Sequence, residues 1–229
     1  MLTFKVIAAL LHYPDEALLA HGEDMRQVLA REKLLRRAEY DAVADFIARL
    51  CEQELLDAQS AYVDTFDRGR ARSLYLFEHV HGESRDRGQA MIELLQTYRR
   101  AGFEIAVPEL PDYIPLFLEF LSTQTPAQAQ DWLAATGQLM QLLHARLATR
   151  GSDYAALFAP LVRLAGLDPE AADIHHQAGA ETPDDTPQAL DQVWQETPVT
   201  FGGPDDTCTS VHKSSDEAQP VHWHAAQTR

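Results

Sequence analysis

The sequence predicts an all-α protein: a single globular helical domain over residues 1–170, about eight helices long, and an acidic, largely disordered tail over 171–229. Three observations lead there. Apolar residues in the first part recur at steps of three and four, the repeat of a helix with one buried face. No segment of comparable length alternates apolar and polar residues as a half-buried strand does. The last 59 residues hold only one Leu, one Ile, four Val and one Phe, too few to bury a core, and five prolines interrupt them.

The elements follow in order. Pro14, Asp15 and Glu16 suit the opening of a helix, with proline early and acids in the first turn. Tyr40, Val43, Ala44, Ile47, Leu50 and Cys51 form one stripe, and Leu55, Ala58, Tyr62 and Phe66 a second. Ser73 to Phe77 is apolar enough for a short strand, but with no partner strand in view it is expected to be a buried helix turn. Met91, Leu94, Leu95 and Tyr98 make the next stripe. Pro111 and Pro115 then fix a bend, and Asp112 is expected to cap the apolar helix running to Leu121. Pro126 opens a long helix to Arg150, after which Ser152 or Asp153 is expected to cap another. Gly69, Gly82, Gly102 and Gly151 stand where stripes stop, as glycines ending helices do.

Charge excludes several functions. The chain has 19 Lys and Arg against 35 Asp and Glu, a net of −16. Half of that, −8, comes from the tail, which has 2 basic and 10 acidic residues. Such a chain repels phosphate backbones and anionic bilayers, so neither nucleic acid nor a membrane surface is an expected partner. No apolar run approaches the ~20 residues of a span, and the N-terminus lacks the pattern of a secretory signal. Cys51 and Cys208 are too few for a disulfide framework or a four-cysteine zinc site. A cytoplasmic protein is expected.

The residues offer no convincing active site. His79 and His81 diverge by about 200° on a helix and converge on a metal only if extended, with Asp86 as third ligand; that is the basis of a rival reading as a metal-dependent helical hydrolase. Cys208, His212, His222 and His224 lack zinc-finger spacing, and the adjacent His175 and His176 are uninformative. Cys51 belongs to an apolar stripe, and the pairs Asp64/Asp67 and Asp184/Asp185 look like solvated charge. No nucleophile elbow, phosphate loop or dinucleotide turn occurs. What remains is recognition. Between Phe66 and Arg87 five arginines mix with aromatics and acids, either as a peptide-binding groove or as core aromatics with arginines paired to Asp67, Glu78, Glu83 and Asp86.

At this point the motifs resemble a known family. Tyr62-Val63-Asp64-Thr65-Phe66-Asp67, Ser73-Leu74-Tyr75-Leu76, His81-Gly82-Glu83-Ser84-Arg85-Asp86-Arg87-Gly88, Tyr98 with Ala101-Gly102, and Glu109-Leu110-Pro111-Asp112-Tyr113 before Leu118-Glu119-Phe120-Leu121 are similar, in order, to the delta subunits of respiratory nitrate reductase. These are molybdenum cofactor assembly chaperones among the redox-enzyme maturation proteins. Phe4 to Leu11 with Tyr13-Pro14, and Trp194 to Gly202 with Cys208 behind it, fit as well. Where the wider family commonly has His, this chain has Tyr113, as in the nitrate reductase branch; residues 171–188 and those beyond Gly203 match nothing.

The resemblance implies an all-α chaperone without turnover. It would bind the N-terminus of the catalytic (alpha) subunit and keep that subunit competent for molybdenum cofactor insertion and iron–sulfur cluster completion before membrane docking. Cofactor-biosynthesis proteins are further implied partners. No cofactor is expected to be held stably, only met through the client, and no metal site is assigned. A basic, partly apolar peptide suits an acidic groove with aromatic walls. The candidate acids are Asp67, Glu78, Glu109, Asp112 and Glu119, and the candidate apolar anchors Tyr62, Phe66, Tyr75 and Tyr113. Arg85, Arg87 and Gly88 are expected to be structural, the arginines pairing with Glu83 or Glu109. In the tail, Trp194, Pro198, Val199 and Phe201 within 190–202 are expected to dock on the domain or the client.

Overall fold

The computed structural model describes residues 1–81 and 85–193, and their regular elements are helices. Twelve α-helices occur among them: α1 (Leu2–Leu10), α2 (Glu16–Ala20), α3 (Gly22–Glu32), α4 (Arg37–Glu52), α5 (Leu55–Phe66), α6 (Leu76–His81), α7 (Arg85–Arg100), α8 (Ile114–Thr123), α9 (Pro126–Thr149), α10 (Ala155–Leu164), α11 (Ala172–Ala180) and α12 (Pro187–Val193). Ten of them fall within residues 1–170, where about eight are expected, because short helices such as α2 and α6 span too few turns to show a stripe. The Trp194, Pro198, Val199 and Phe201 motif lies outside the described residues, as do the side chains of His81 and Arg85.

Helix α8 is apolar at every position from Ile114 to Leu121 except Glu119, a pattern sustainable only at the centre of a fold. Ile114, Phe117, Leu118, Phe120 and Leu121 are all sealed from solvent, and α1 covers them with Phe4, Ile7, Leu10 and Leu11. Helix α9 packs against α10 and α11, and α4 against α3 and α10. Several ends carry the signals their residues imply. Asp15 accepts from the Leu18 amide at 2.7 Å, and Thr125 and Gln128 form a reciprocal capping box at the start of α9. Gly102 (φ 74°) and Gly151 (φ 67°) take the left-handed conformation after α7 and α9.

Three local expectations are corrected. Ser73 to Tyr75 are not helical, and the helix expected there begins only at Leu76, because the segment does have a partner: Tyr75 bridges antiparallel to Tyr113. Neither Ser152 nor Asp153 caps α10; the cap position is Tyr154, and Asp153 instead pairs with Arg49 at 3.0 Å.

The third concerns the boundary at 170. The compact unit runs from Met1 to Val193, so it includes α11 and α12. Ion pairs rather than apolar burial attach this segment. Arg146 makes a double contact with Glu181, both bonds at 2.7 Å. Asp185 accepts from Arg72 at 2.9 Å and from Arg150 at 2.9 Å, and Asp184 accepts from the Ala71 amide at 2.7 Å. Asp184 and Asp185 are therefore structural partners and not solvated charge.

Candidate functional site

The motifs around residues 62–88 and 109–121 meet at one junction. The Leu76 amide donates to the Asp112 carbonyl at 2.9 Å and the Ile114 amide to the Leu74 carbonyl at 2.8 Å, so the two segments lie side by side. Asp112 itself is fully buried. Its Oδ2 accepts from the Phe77 amide at 3.1 Å, so it caps α6 from across the junction and not α8 as its sequence position suggests. Its Oδ1 has no partner, and burial raises its carboxyl above the ordinary range, only partly offset by the Phe77 amide and Arg87. Arg87 reaches from α7 to Glu78 at 3.4 Å and Asp112 at 3.9 Å. Among the described residues its acids are Glu78, one of those the sequence offered, and Asp112, and not Glu109; Glu83 lies outside the described residues. Gly88 is exposed beside it, with open space around its Cα.

Beneath the junction lies an aromatic floor. Tyr62, Phe66 and Tyr113 are buried. The Tyr62 hydroxyl donates to the Leu11 carbonyl at 3.0 Å and lies 3.2 Å from the Tyr113 hydroxyl. These three residues and Asp112 therefore shape the site from below instead of lining an open groove: Tyr62 and Phe66 pack on one another and on Tyr154, and Tyr113 meets the Tyr62 hydroxyl.

What reaches the surface is different. Tyr75 is half-buried on the Tyr113 ring, centroids 5.3 Å apart, and its hydroxyl donates to Glu109 at 3.1 Å. Glu78 is half-buried under Arg87. Asp67 is exposed at the end of α5, near enough to Tyr62 and Tyr113 for its charge to add to the burial that raises both phenols. Glu119 is half-buried on α8, and no hydrogen bond or ion pair of its carboxylate occurs among the described residues. His12 and Tyr13, absent from the expected site, complete it: their rings meet Tyr113 and Tyr62 edge-on at 5.4 and 5.6 Å, and Tyr13 is half exposed. Their local signal is only an aromatic before Pro14. The patch is aromatic, acidic at Asp67 and Glu109, and flanked by exposed Val107 and Leu110.

The rival metal site is not favoured by the surroundings of His79, and the side chain of its second histidine, His81, lies outside the described residues. His79 lies with Nε2 2.8 Å from the Ser73 carbonyl and Nδ1 3.4 Å from the Arg146 guanidinium. Burial, reinforced by Arg146, keeps its pKa below the usual histidine value, and a cation there would face that guanidinium. One group does converge elsewhere among the described residues: His144, Glu170 and His175 offer ligand atoms within 4.8 Å of one another. No helix among the described residues is long and apolar enough to cross a membrane.

Comparison with known proteins places these features in a lineage. The model of a family described as nitrate reductase delta subunit matches residues 36–160. The nitrate reductase molybdenum cofactor assembly chaperone NarJ of Escherichia coli (strain K12) is 44% identical over 201 residues, covering 88% of this chain and 85% of that one. The probable chaperone NarW of the same organism is 43% identical, over 88% and 84% of the two chains. A probable NarJ of Bacillus subtilis (strain 168) is 32% identical over 70% of this chain and 86% of its own.

Proposed function

The chain belongs to the nitrate reductase delta subunit family, and from that premise we propose that it is the assembly chaperone of a respiratory nitrate reductase. It binds the N-terminus of the catalytic subunit in the cytoplasm. It thereby keeps that subunit competent for molybdenum cofactor insertion and iron–sulfur cluster maturation before membrane docking. The chaperone turns over no substrate and holds no molybdenum cofactor of its own; the cofactor reaches it through the client, together with the proteins that make it. The observation that carries this reading is 44% identity to a protein named for that role, along 88% of the chain.

The surface patch suits the client. A basic, amphipathic N-terminal segment finds carboxylates at Asp67 and Glu109 and apolar contact at Tyr13, Tyr75 and Leu110. Charge speeds and orients the encounter, and apolar burial supplies affinity. Glu78, with its carboxylate committed to Arg87, and Glu119, on α8, play a lesser part.

Calorimetry with a peptide of the catalytic subunit's N-terminus tests this. Binding is expected, weaker at high salt, and weaker again for Asp67→Asn and Glu109→Gln. No complex at about 50 μM peptide, an affinity at which such recognition would be of little use, would sink the proposal. Binding indifferent to both substitutions would move the peptide off this patch while leaving the chaperone reading intact.

A further inference from the structure

Histidine 144 is an unusual residue to find deep in a helical interface. It sits on α9 with 4% of its surface exposed. Its Nδ1 donates to the Ala155 carbonyl at 3.0 Å, a bond that leaves the lone pair on Nε2. That nitrogen is buried and has no hydrogen-bond partner. A buried acceptor left open costs stability unless something else fills it.

Two further ligating groups converge on that nitrogen. The Glu170 carboxylate, otherwise exposed, has Oε1 3.5 Å from His144 Nε2. His175, at the first turn of α11, has Nε2 4.0 Å from the other oxygen of Glu170, and its ring stands edge-on to His144 with centroids 5.7 Å apart. Two ligands about 2.0–2.1 Å from a tetrahedral zinc ion are separated by about 3.3 Å, so the first pair is already near that spacing and the second needs a small closure. Glu170 and half-buried His175 have the freedom to make it. The bond from Nδ1 of His144 to a backbone carbonyl is the outer-shell contact that orients a metal-binding imidazole. His175 Nε2 now donates to the Pro169 carbonyl at 3.0 Å; coordination through it exchanges that bond for the metal and moves the ring proton to Nδ1.

We propose that His144, Glu170 and His175 form a binding site for a divalent transition metal ion, zinc by ligand chemistry, with water in the fourth position. Two imidazoles and a carboxylate match zinc's preference for nitrogen with oxygen, and the net charge of −16 favours a cation. The ion would join α9 to the 170–175 segment and so clasp α11 onto the body of the domain. The site is independent of the client-binding patch.

The test is titration of the full chain with zinc, followed by calorimetry, and with cobalt, followed by visible absorption. One equivalent is expected to bind, the cobalt form to show the intense bands of a four-coordinate ion, and zinc to raise the unfolding temperature by mass action. His175→Ala and Glu170→Gln, at accessible positions that leave the core intact, are each expected to weaken binding at least about tenfold, the usual scale for loss of a ligand or its support. His176→Ala and a tail variant with Cys208→Ser, His212→Ala, His222→Ala and His224→Ala are expected to bind as the parent does. The proposal is overturned by no saturable binding up to about 0.1 mM metal. It is equally overturned by affinity unchanged in His175→Ala and Glu170→Gln, or lost in the tail variant instead.

Discussion

Arg87 stands 3.9 Å from Asp112, a carboxylate with no exposed surface, and through it α7 is tied to the junction between Leu74–Tyr75 and Asp112–Ile114. Burial raises the Asp112 carboxyl and Arg87 only partly offsets this. The sign follows. A group whose pKa is higher in the folded chain contributes stability that is complete below its unfolded value of about 3.9, and that is lost as pH rises through the folded value. Asp112→Asn keeps an oxygen for the Phe77 amide and carries no charge. At about pH 7 it is expected to be as stable as the parent or more so, an advantage that shrinks toward about pH 4.5 in urea unfolding. A loss exceeding about 2 kcal/mol at pH 7 would show instead that the ionised pair stabilises the fold.

Asp185 behaves in the opposite sense. Burial pushes its carboxyl up, but hydrogen bonds from Arg150 and Arg72 outweigh that and hold it below the ordinary range. Its contribution is therefore present above about pH 3.9 and lost as pH falls through the lowered folded value. Arg72 has a side chain only 5% exposed, and without Asp185 it keeps just the Thr65 carbonyl among the described residues. Asp185→Asn is expected to cost about 2–4 kcal/mol at neutral pH, in the range of broken buried pairs. It should also speed hydrogen exchange across α11 and α12, read by mass spectrometry. Unchanged exchange there would mean that Glu181 and Arg146 suffice to hold the segment.

These two residues also mark how far the sequence can be read. The helices of the body were legible because each buries one face: Tyr62 and Phe66 follow Leu55 and Ala58 at helical steps, so their burial is written in the same stripe. The attachment of residues 171–193 was not. Its mean apolar content is diluted by the residues beyond, and what holds it are arginines at 72, 146 and 150 meeting distant acids: Arg146 and Arg150 each meet a residue 35 positions along, and Arg72 one 113 along. Local periodicity carries no trace of such pairs. The same limit applies to Asp112, whose capped amide belongs to a helix formed 35 residues earlier. It applies too to the ligand trio, since His144 and Glu170 stand far apart in the chain. At the patch, the motif residues were found, but which of them face outward depends on the bridge between Tyr75 and Tyr113.

Gly137 lies buried in the middle of α9, where alanine would ordinarily favour the helix by about 1 kcal/mol. Here a Cβ would meet the Ala165 Cβ at 2.9 Å and the Leu167 Cδ1 at 3.0 Å. The leucine tip can swing away, but the Ala165 methyl cannot move without its backbone. Overpacking of this kind costs about 1–3 kcal/mol, so Gly137→Ala is expected to destabilise despite its better propensity. Adding Ala165→Gly removes the obstructing methyl and should restore part of the loss. A stabilised single variant would mean that α10 yields more readily than its packing on α9 suggests.

Tyr62 and Tyr113 share one acceptor. The Tyr62 hydroxyl reaches the Leu11 carbonyl at 3.0 Å, and the Tyr113 hydroxyl stands 3.5 Å from the same oxygen. Removing either hydroxyl leaves the other within reach, so Tyr62→Phe and Tyr113→Phe should each cost about 1 kcal/mol or less. Removing both orphans a buried carbonyl, and the double variant should therefore lose more than the two single losses combined, by about 0.5–2 kcal/mol. Because both rings lie under the patch and not on it, Tyr62→Phe should leave affinity for the client peptide unchanged, while Glu109→Gln, which faces outward, lowers affinity with little effect on unfolding. If instead Tyr62→Phe weakened the complex as strongly as Glu109→Gln, the floor would have to open when the peptide binds, and the hydroxyl pair would belong to the binding site itself.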